Sequence, residues 1–431
     1  MGSIGHTAKL KIIIVGAGIG GLGAAIALLL AGHDVQVLEA AKKLEEVGAG
    51  IQILPNGARV LRSWGMEAAL AAKAMEPRQS NMRNWKGELL TSWDYPAAAK
   101  AYGAPFWDFH RADLHLGLVE RTRELGGQII CNTTVADVKC NSPPGQATVK
   151  TRDGEEYTAD LVVGADGVHS RLRAIVSGRQ EPPTPTGDLA YRLVLDASAM
   201  LADPELAELV VDPQVNLWIG PGAHVVNYVL RQGSLFNMVL CMPDDIPESV
   251  RVAHGNTEEL KLFYKDWDPR IVKLINISKT ADKWKLCIRQ ELDQWYHPSG
   301  TFVLLGDAVH ATLPYLSSGA GMTLEDAAVL AECLARIRTK SPAEICHALA
   351  VYQKCRKKRT ERIVERSSLQ QYLSHLDDGP EQQQRDALLK IPGPVRGEAF
   401  VWRDPDIGPW LLSYNHIADV SNNWASYNSY I

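Results

Sequence analysis

The run Lys11-Ile12-Ile13-Ile14-Val15 passes directly into Gly16-Ala17-Gly18-Ile19-Gly20-Gly21, and this junction constrains the fold more than any other segment. A β-branched run favours a buried strand, and the Ala- and Leu-rich stretch from Leu22 to Ala31 favours a helix. Glycines at 16, 18 and 21 satisfy the spacing G-x-G-x-x-G. The first permits a tight turn, the second lets a pyrophosphate approach the backbone, and the third lets helix pack closely on strand. The helix start then directs free N–H groups at the phosphates. A second apolar strand, Val35 to Leu38, ends at Glu39, about 20 residues past the fingerprint, where an acid can accept from a ribose hydroxyl and disfavours a 2′-phosphate. Glycine spacing alone is a weak signal. With strand, helix and acid each in place, it reads as a nucleotide-binding βαβ unit.

Ile12 to Gly32 carries no charge and is about long enough to span a bilayer, but five glycines in its first half divide it into a short strand and a short helix. A buried βα unit is therefore expected in place of a membrane span or secretory signal. Met1-Gly2 lacks Ser or Thr at position 6, where His6 stands, so the acylation pattern is missed. A soluble, cytoplasmic protein with no membrane partner is expected. A chain of 431 residues divides into two or three domains, and a formal net charge of -5 argues against nucleic acid as the main partner. Seven scattered cysteines without a C-x-x-C pair suggest reduced thiols and no metal site. The sequons at Asn132 and Asn276 are then accidental.

Two further glycine–acid elements follow the opening. Ala159 to Val163 reads as a strand ending in Gly164-Ala165-Asp166-Gly167, with Val168-His169-Ser170-Arg171 at a helix start. Thr301 to Leu305 repeats the pattern into Gly306-Asp307-Ala308-Val309-His310, then Pro314, then Gly319-Ala320-Gly321-Met322 ahead of an amphipathic helix expected over Thr323 to Ile337. Between Pro182 and Gln290 the βα rhythm stops. Short alternating strands are expected instead at Leu189 to Leu195, Val215 to Ile219, His224 to Leu230 and Leu235 to Met242, with Gly220-Pro221-Gly222 as a hairpin turn. Alternation sets Ala190, Arg192 and Val194 on one face, and likewise His224, Val226, Tyr228 and Leu230.

These three ordered elements resemble the class A flavoprotein aromatic monooxygenases, above all salicylate hydroxylase-like enzymes, over residues 9 to 370. The resemblance implies an α/β fold in which a Rossmann-type FAD-binding domain (1–75, 103–180 and 285–345) is interrupted by an antiparallel β-sheet substrate domain of the p-hydroxybenzoate hydroxylase type (76–102 and 181–284). A C-terminal helix and aromatic tail (346–431) follow. It implies FAD contacts from Gly16, Gly18, Gly21, Glu39, Ala40, Gly50, Arg111 of His110-Arg111-Ala112-Asp113-Leu114, Asp166, Asp307, Gly319, Ala320, Gly321 and Met322. Pro314 would lie close to the flavin's reactive carbon. Ser318 departs from the pattern, since many relatives carry Gln before the glycine, and Val229 stands where Pro often follows the tyrosine.

By the same resemblance Arg192 and Tyr228 hold a substrate phenolate. NADPH or NADH would serve as transient reductant, and O2 would react through a flavin C4a-hydroperoxide. That species is an electrophile, which a deprotonated phenol attacks well. A guanidinium stabilises the anion without losing its own charge, and Tyr can donate to it. His310 is the third catalytic candidate, relaying a proton or bracing its motif, with His110 beside it as an alternative. The expected reaction is hydroxylation of a phenolic small molecule in secondary metabolism or aromatic catabolism. Alternatives are decarboxylative hydroxylation of a salicylate, epoxidation of an indole or terpenoid alkene, which needs no Arg192, and a non-hydroxylating flavin reductase or oxidase. A halogenase is disfavoured because Trp-x-Trp-x-Ile-Pro is missing. The ring, the choice between NADPH and NADH, and a homodimer stay open.

Towards the C-terminus, Lys354-Cys355-Arg356-Lys357-Lys358-Arg359 with Glu361 and Glu365 at helical spacing reads as a solvated helix face. Asp188 and Asp196 read as caps or turn residues, Met322 as packing, and Asp377 to Gln384 as a loop. The tail from residue 393, with Trp402, Trp410 and Trp424, is too aromatic for a linker. It is expected to pack back over the substrate region or a partner subunit.

Overall fold

A computed structural model describes residues 8–44, 49–278, 281–397 and 399–427, so the Met1-Gly2 reading lies outside the described residues. The glycine fingerprint folds as strand Lys11–Val15 and helix Ile19–Leu30. Lys11–Val15 is the centre of a five-stranded parallel sheet, flanked by Leu161–Gly164 then Phe302–Leu304 on one side and by Asp34–Leu38 then Gln128–Ile130 on the other. Ile12, Ile13 and Ile14 are fully buried, because helix Ile19–Leu30 packs on the sheet and a small antiparallel sheet shares its core. All three glycine–acid turns leave the same C-terminal edge of it, as parallel strands require. A small antiparallel sheet, Val135–Lys139 with Ala147–Thr151 and Glu156–Ala159, lies in the connection that leads back to Leu161.

The second large sheet has eight strands in the order Val252–His254, Asp282–Ile288, Thr184–Asp196, Leu235–Pro243, Ala223–Leu230, Gln214–Gly220, Gln79–Asn84 and Leu89–Asp94. The expected hairpin forms, with Gly220 opposite Ala223. The sheet is not wholly antiparallel: Gln79–Asn84 runs parallel to Gln214–Gly220, with Asn81 opposite Asn216. A parallel pair needs a long crossover, so no local turn signal announces it. One face of this sheet, with Tyr191, Leu193, Trp218, Met238 and Leu240, is buried against helices Pro204–Val211, Thr257–Phe263 and Pro269–Ile277. The other face looks towards the parallel sheet.

Asp196 caps a short turn by accepting from the Ser198 N–H at 2.9 Å, as expected. Asp188 does not cap anything. It lies within the Thr184–Asp196 strand and is buried. Helix Gly319–Leu334 begins four residues before the position expected from periodicity, taking the glycines into its first turn, and it is buried almost all round instead of amphipathic.

The 33-residue helix Pro342–Ser374 runs against it. Its basic segment is solvated only at the lysines: Lys354 and Lys358 are exposed, whereas Arg356 and Arg359 are both buried. The polar stretch read as a loop is also helical, at Pro380–Leu389. There Pro380 starts the first turn, and Arg385 turns inward to the Leu373 carbonyl at 2.6 Å and the Asp386 carboxylate at 2.7 Å.

The aromatic tail does pack back over the substrate sheet. Trp402 stacks on Trp93 of the edge strand at 6.1 Å with 6° between the ring planes, and Phe400 meets Trp93 edge-on at 6.1 Å. All seven cysteines carry free thiols. Among the described residues no helix is long and apolar enough to cross a membrane.

Candidate active site

The nucleotide end is set by backbone geometry. Gly16 holds φ +105°, a conformation that side-chain-bearing residues rarely adopt, and its N–H donates to the Leu38 carbonyl at 2.8 Å. A Cβ on Gly21 would lie 1.8 Å from the Gly16 carbonyl oxygen, so helix and strand approach as closely as glycine allows. Gly21→Ala must push them apart. The expected result is purified protein that has lost its yellow flavin absorbance, and a variant retaining full flavin content would show that this contact is dispensable. A Cβ on Gly18, by contrast, would meet nothing within 4 Å. Glu39 accepts from the Ala17 and Ala41 N–H groups, each at 2.7 Å, which fixes the acid beside the glycine turn with Ala40 between the two contacts. Asp166 accepts from the Arg171 and Leu172 N–H groups through Oδ2 at 2.9 and 3.2 Å. Its Oδ1 is buried with no protein partner, an orphan acceptor of the kind that a ligand hydroxyl satisfies.

From Gly18 and Gly20 one continuous cavity runs past Gly50, Arg111, Asp307 and Pro314 to the exposed face of the eight-stranded sheet. Gly319 and Ala320 line it, while Gly321 and Met322 of the same turn do not. Met322 is fully buried in the core, as its packing reading implies. The helix has no side chain capping its start at Ser318, so its first N–H groups and positive dipole end remain for an anionic ligand group. Asp307 is exposed on the cavity wall. The surrounding protein pushes its carboxyl pKa up, with the His310 and Arg111 charges opposing. Gly50 N donates to Asn237 Oδ1 at 2.7 Å, and a Cβ on Gly50 would lie 2.5 Å from the Tyr228 hydroxyl. The strand Gly50–Ile53 is thereby pinned against the sheet.

The sheet contributes side chains at every second position: Ala190 and Arg192, His224, Val226 and Tyr228, and Val239 and Cys241. Alternation read from the sequence therefore brings Arg192 and Tyr228 to one wall. The Arg192 guanidinium lies 5.1 Å from the Trp284 ring centroid, within cation–π range. Burial holds the Tyr228 phenol well above its ordinary pKa, reinforced by Asp108 and opposed by Arg192, so Tyr228 is a hydrogen-bond donor at neutral pH. Tyr315, Gln370 and Ser374 also line the cavity, which sequence reasoning missed, and so does Trp402 from the tail that was expected over the substrate region. They come from a 3-10 turn, the far end of the long helix and the tail, with no motif to connect them.

His310 does not line this cavity. It is buried behind the Gly306-Asp307 turn, with Nε2 2.6 Å from Asp326 Oδ2, and this corrects its assignment as an acid–base residue. Burial alone would lower its pKa, but Asp326 outweighs that and raises it. His110 is likewise outside the cavity lining and lies 3.4 Å from Arg231 Nη2; burial and then Arg231 lower its pKa.

Asp326 also accepts from the Gly306 N–H at 3.1 Å and from Arg356 Nε at 2.7 Å. Glu325 is held by Arg356 Nη2 at 2.8 Å, by Arg359 through two contacts of 2.8 Å, and by Asn56 Nδ2 at 2.7 Å. A buried ionic lattice thus backs the Gly306-Asp307 turn. Nothing in the sequence links acids at 325 and 326 with arginines a helix away.

The fit to a flavin dinucleotide is consistent along the cavity. There is open space at Gly18, a carboxyl at Asp307, uncapped N–H groups at Gly319 and Ala320, and, between the lining residues Ala165 and Gly167, the buried orphan acceptor of Asp166. Comparison with known proteins agrees. Residues 9–367 match the FAD binding domain family. The chain is 41% identical over 424 residues to the FAD-dependent monooxygenase OpS4 of Beauveria bassiana, covering 97% of either protein. It is 32% identical to a 3-hydroxybenzoate 6-hydroxylase of Polaromonas naphthalenivorans, covering 95% of this chain and 97% of that one. A salicylate hydroxylase solved with substrate shares the fold at TM-score 0.79 and 23% identity, over 96% of this chain and 98% of the other. The chain belongs to the FAD binding domain family, and within it to the class A FAD-dependent aromatic monooxygenases whose three motifs it resembles.

Proposed function

We propose that this enzyme hydroxylates a phenolic small molecule with NAD(P)H and O2 as co-substrates. One observation carries the reading: Arg192 and Tyr228 stand on one wall of the cavity whose other end is the Gly18, Asp307 and Pro314 cradle. Gly18, Glu39, Arg111, Asp166, Asp307 and the first turn of helix Gly319–Leu334 would hold FAD, which when bound takes reducing equivalents from the nicotinamide and activates O2. The remaining work falls to this chain's side chains. Arg192 holds the ionised substrate oxygen, Tyr228 donates to it, and the apolar residues Val226, Val239 and Leu217 keep water from the ring.

Anaerobic stopped-flow reduction by NADPH and by NADH, with a panel of salicylates, resorcinols and simple phenols, tests this. One phenolic ligand should speed flavin reduction by orders of magnitude, and oxygen should then yield hydroxylated product. Acceleration only by an alkene without a phenolic hydroxyl would overturn the roles given to Arg192 and Tyr228.

A further inference from the structure

Arg192, Val239, Val226 and Leu217 stand in one row across the eight-stranded sheet, since Arg192 is paired with Val239, Val239 with Val226, and Val226 with Leu217 on successive strands. All four line the cavity. With strands about 4.8 Å apart, the row is roughly 14 Å long, and beyond Arg192 its side chains are aliphatic. The next place in the row belongs to Met82, which is buried in one cluster with Phe400 and Trp402. Trp402 also lines the cavity. The wall therefore runs from a cation at one end to an indole at the other.

Burial shows which part of this wall lacks a partner. Val225, Trp218 and Leu240 are fully buried on the other face of the sheet, whereas their sequence neighbours Val226, Leu217 and Val239 are only half-buried. The surface these three leave uncovered faces the cavity, and uncovered apolar surface inside a concave site is what an apolar ligand group covers. Trp402 is a fixed wall and not a loose flap. It stacks on Trp93 and meets Phe400 edge-on at 5.1 Å, and the neighbouring Arg403 ties the tail down by donating to the Leu389 carbonyl at 3.0 Å and to the Thr91 hydroxyl of the edge strand.

A phenolate oxygen held by Arg192 and Tyr228 lies towards the Arg192 end, and the heavy atoms of a single phenol ring span less than half of the row. We propose that the substrate ring carries an apolar substituent, and that Leu217 and Trp402 form the subsite that takes it. Trp402 is then a specificity-determining residue contributed by the C-terminal tail. Charge recognition stays at Arg192, while the far end selects by size and by the water it displaces. Each methylene moved from water into such a subsite tightens binding about four-fold.

This subsite presupposes the phenol reading above, and the experiment separates the two. Oxidised, FAD-loaded enzyme is titrated with 4-alkylphenols from methyl to pentyl and with their 3-alkyl isomers, and binding is followed by perturbation of the flavin absorbance. Chain length leaves the acidity of the hydroxyl nearly constant, so the substituent alone varies. In one of the two series the dissociation constant should fall about four-fold per methylene. Trp402→Ala, which opens this end to water, should flatten the dependence to below about two-fold per methylene, and Trp402→Phe should restore it. A merely structural role for Trp402 would instead shift every homologue by one common factor. Leu217→Phe narrows the subsite from the sheet and leaves the tail untouched, so it should weaken the pentyl homologue at least about ten-fold more than the methyl one. No dependence in wild type, the same dependence in Trp402→Ala, or equal weakening of all homologues by Leu217→Phe would overturn the subsite and leave the phenol reading standing. A wild type that binds no member of either series overturns both.

Discussion

Arg356→Met is expected to destabilise the protein by about 3–5 kcal/mol, the usual cost of removing one partner from a buried ion pair. Arg356 is fully buried between Glu325 and Asp326, themselves fully buried. Burial alone would raise the pKa of both acids, but Arg359 and Arg356 beside Glu325, and His310 and Arg356 beside Asp326, hold them below their ordinary values. A depressed folded-state pKa contributes stability that is present above the unfolded value and lost as pH falls towards the folded one. The wild type should therefore be insensitive to mild acid and weaken only below the ordinary carboxylate range.

In the variant, Asp326 loses a cation and keeps His310. The raised pKa of His310 contributes stability below the unfolded value that fades as pH rises through the folded one. The deficit should consequently be larger in mildly alkaline solution than in mildly acidic solution. Urea denaturation followed by tryptophan fluorescence across that range measures it, and a deficit under about 1 kcal/mol, the scale of an exposed pair, would show that the lattice is not stabilising.

Arg192→Met is expected to cost about 2–5 kcal/mol in transition-state stabilisation, the loss seen when one partner of a buried charged hydrogen bond is truncated. That is roughly a 30- to 4000-fold fall in kcat/KM. Flavin content should not change, because Arg192 lies on the sheet wall and the residues placed around the nucleotide are elsewhere. Arg192→Lys should recover only part of the loss, since an ammonium on a flexible stem cannot reproduce a fixed planar donor array. Steady-state kinetics on the phenol selected by stopped-flow decide the matter. Activity within a few-fold of wild type would remove Arg192 from substrate binding and favour a substrate with no acidic hydroxyl.

Legibility followed the range of the interaction. The turns at Gly16, Asp166 and Asp307 were readable because each is a short strand-to-glycine junction whose geometry depends on adjacent residues. The wall bearing Arg192 and Tyr228 was readable because a strand of period two sorts its own side chains. The parallel pairing of Gln79–Asn84 with Gln214–Gly220 was hidden, since register across a long crossover leaves no local trace. Arg356 and Arg359 were misread for a related reason. A run of cations on a helix is solvated unless acids reach it from elsewhere in the fold, and Glu325 and Asp326 are supplied by a different helix. His310 allows two readings from sequence, relay or brace, because a motif gives neighbours in sequence and not the direction of a ring; its bond to Asp326, which also holds the Gly306 N–H, makes it a brace. Asp188 reads locally as a cap or turn residue, because its partners Tyr315, Gln371 and His375 all come from distant segments.

Trp402 lines the cavity and stacks on the edge strand from a position near the end of the chain. Synthesis proceeds from the N-terminus, and the early parts of a chain fold first. The order of translation is therefore an order of construction: the Gly16–Gly21 turn is made first, the sheet wall follows, Asp307, Pro314 and the Gly319 turn complete the nucleotide cradle after it, and Trp402 joins the lining later still. A ribosome-bound chain therefore has its substrate wall before its cradle is whole, so the oxidising chemistry waits on the emergence of helix Gly319–Leu334.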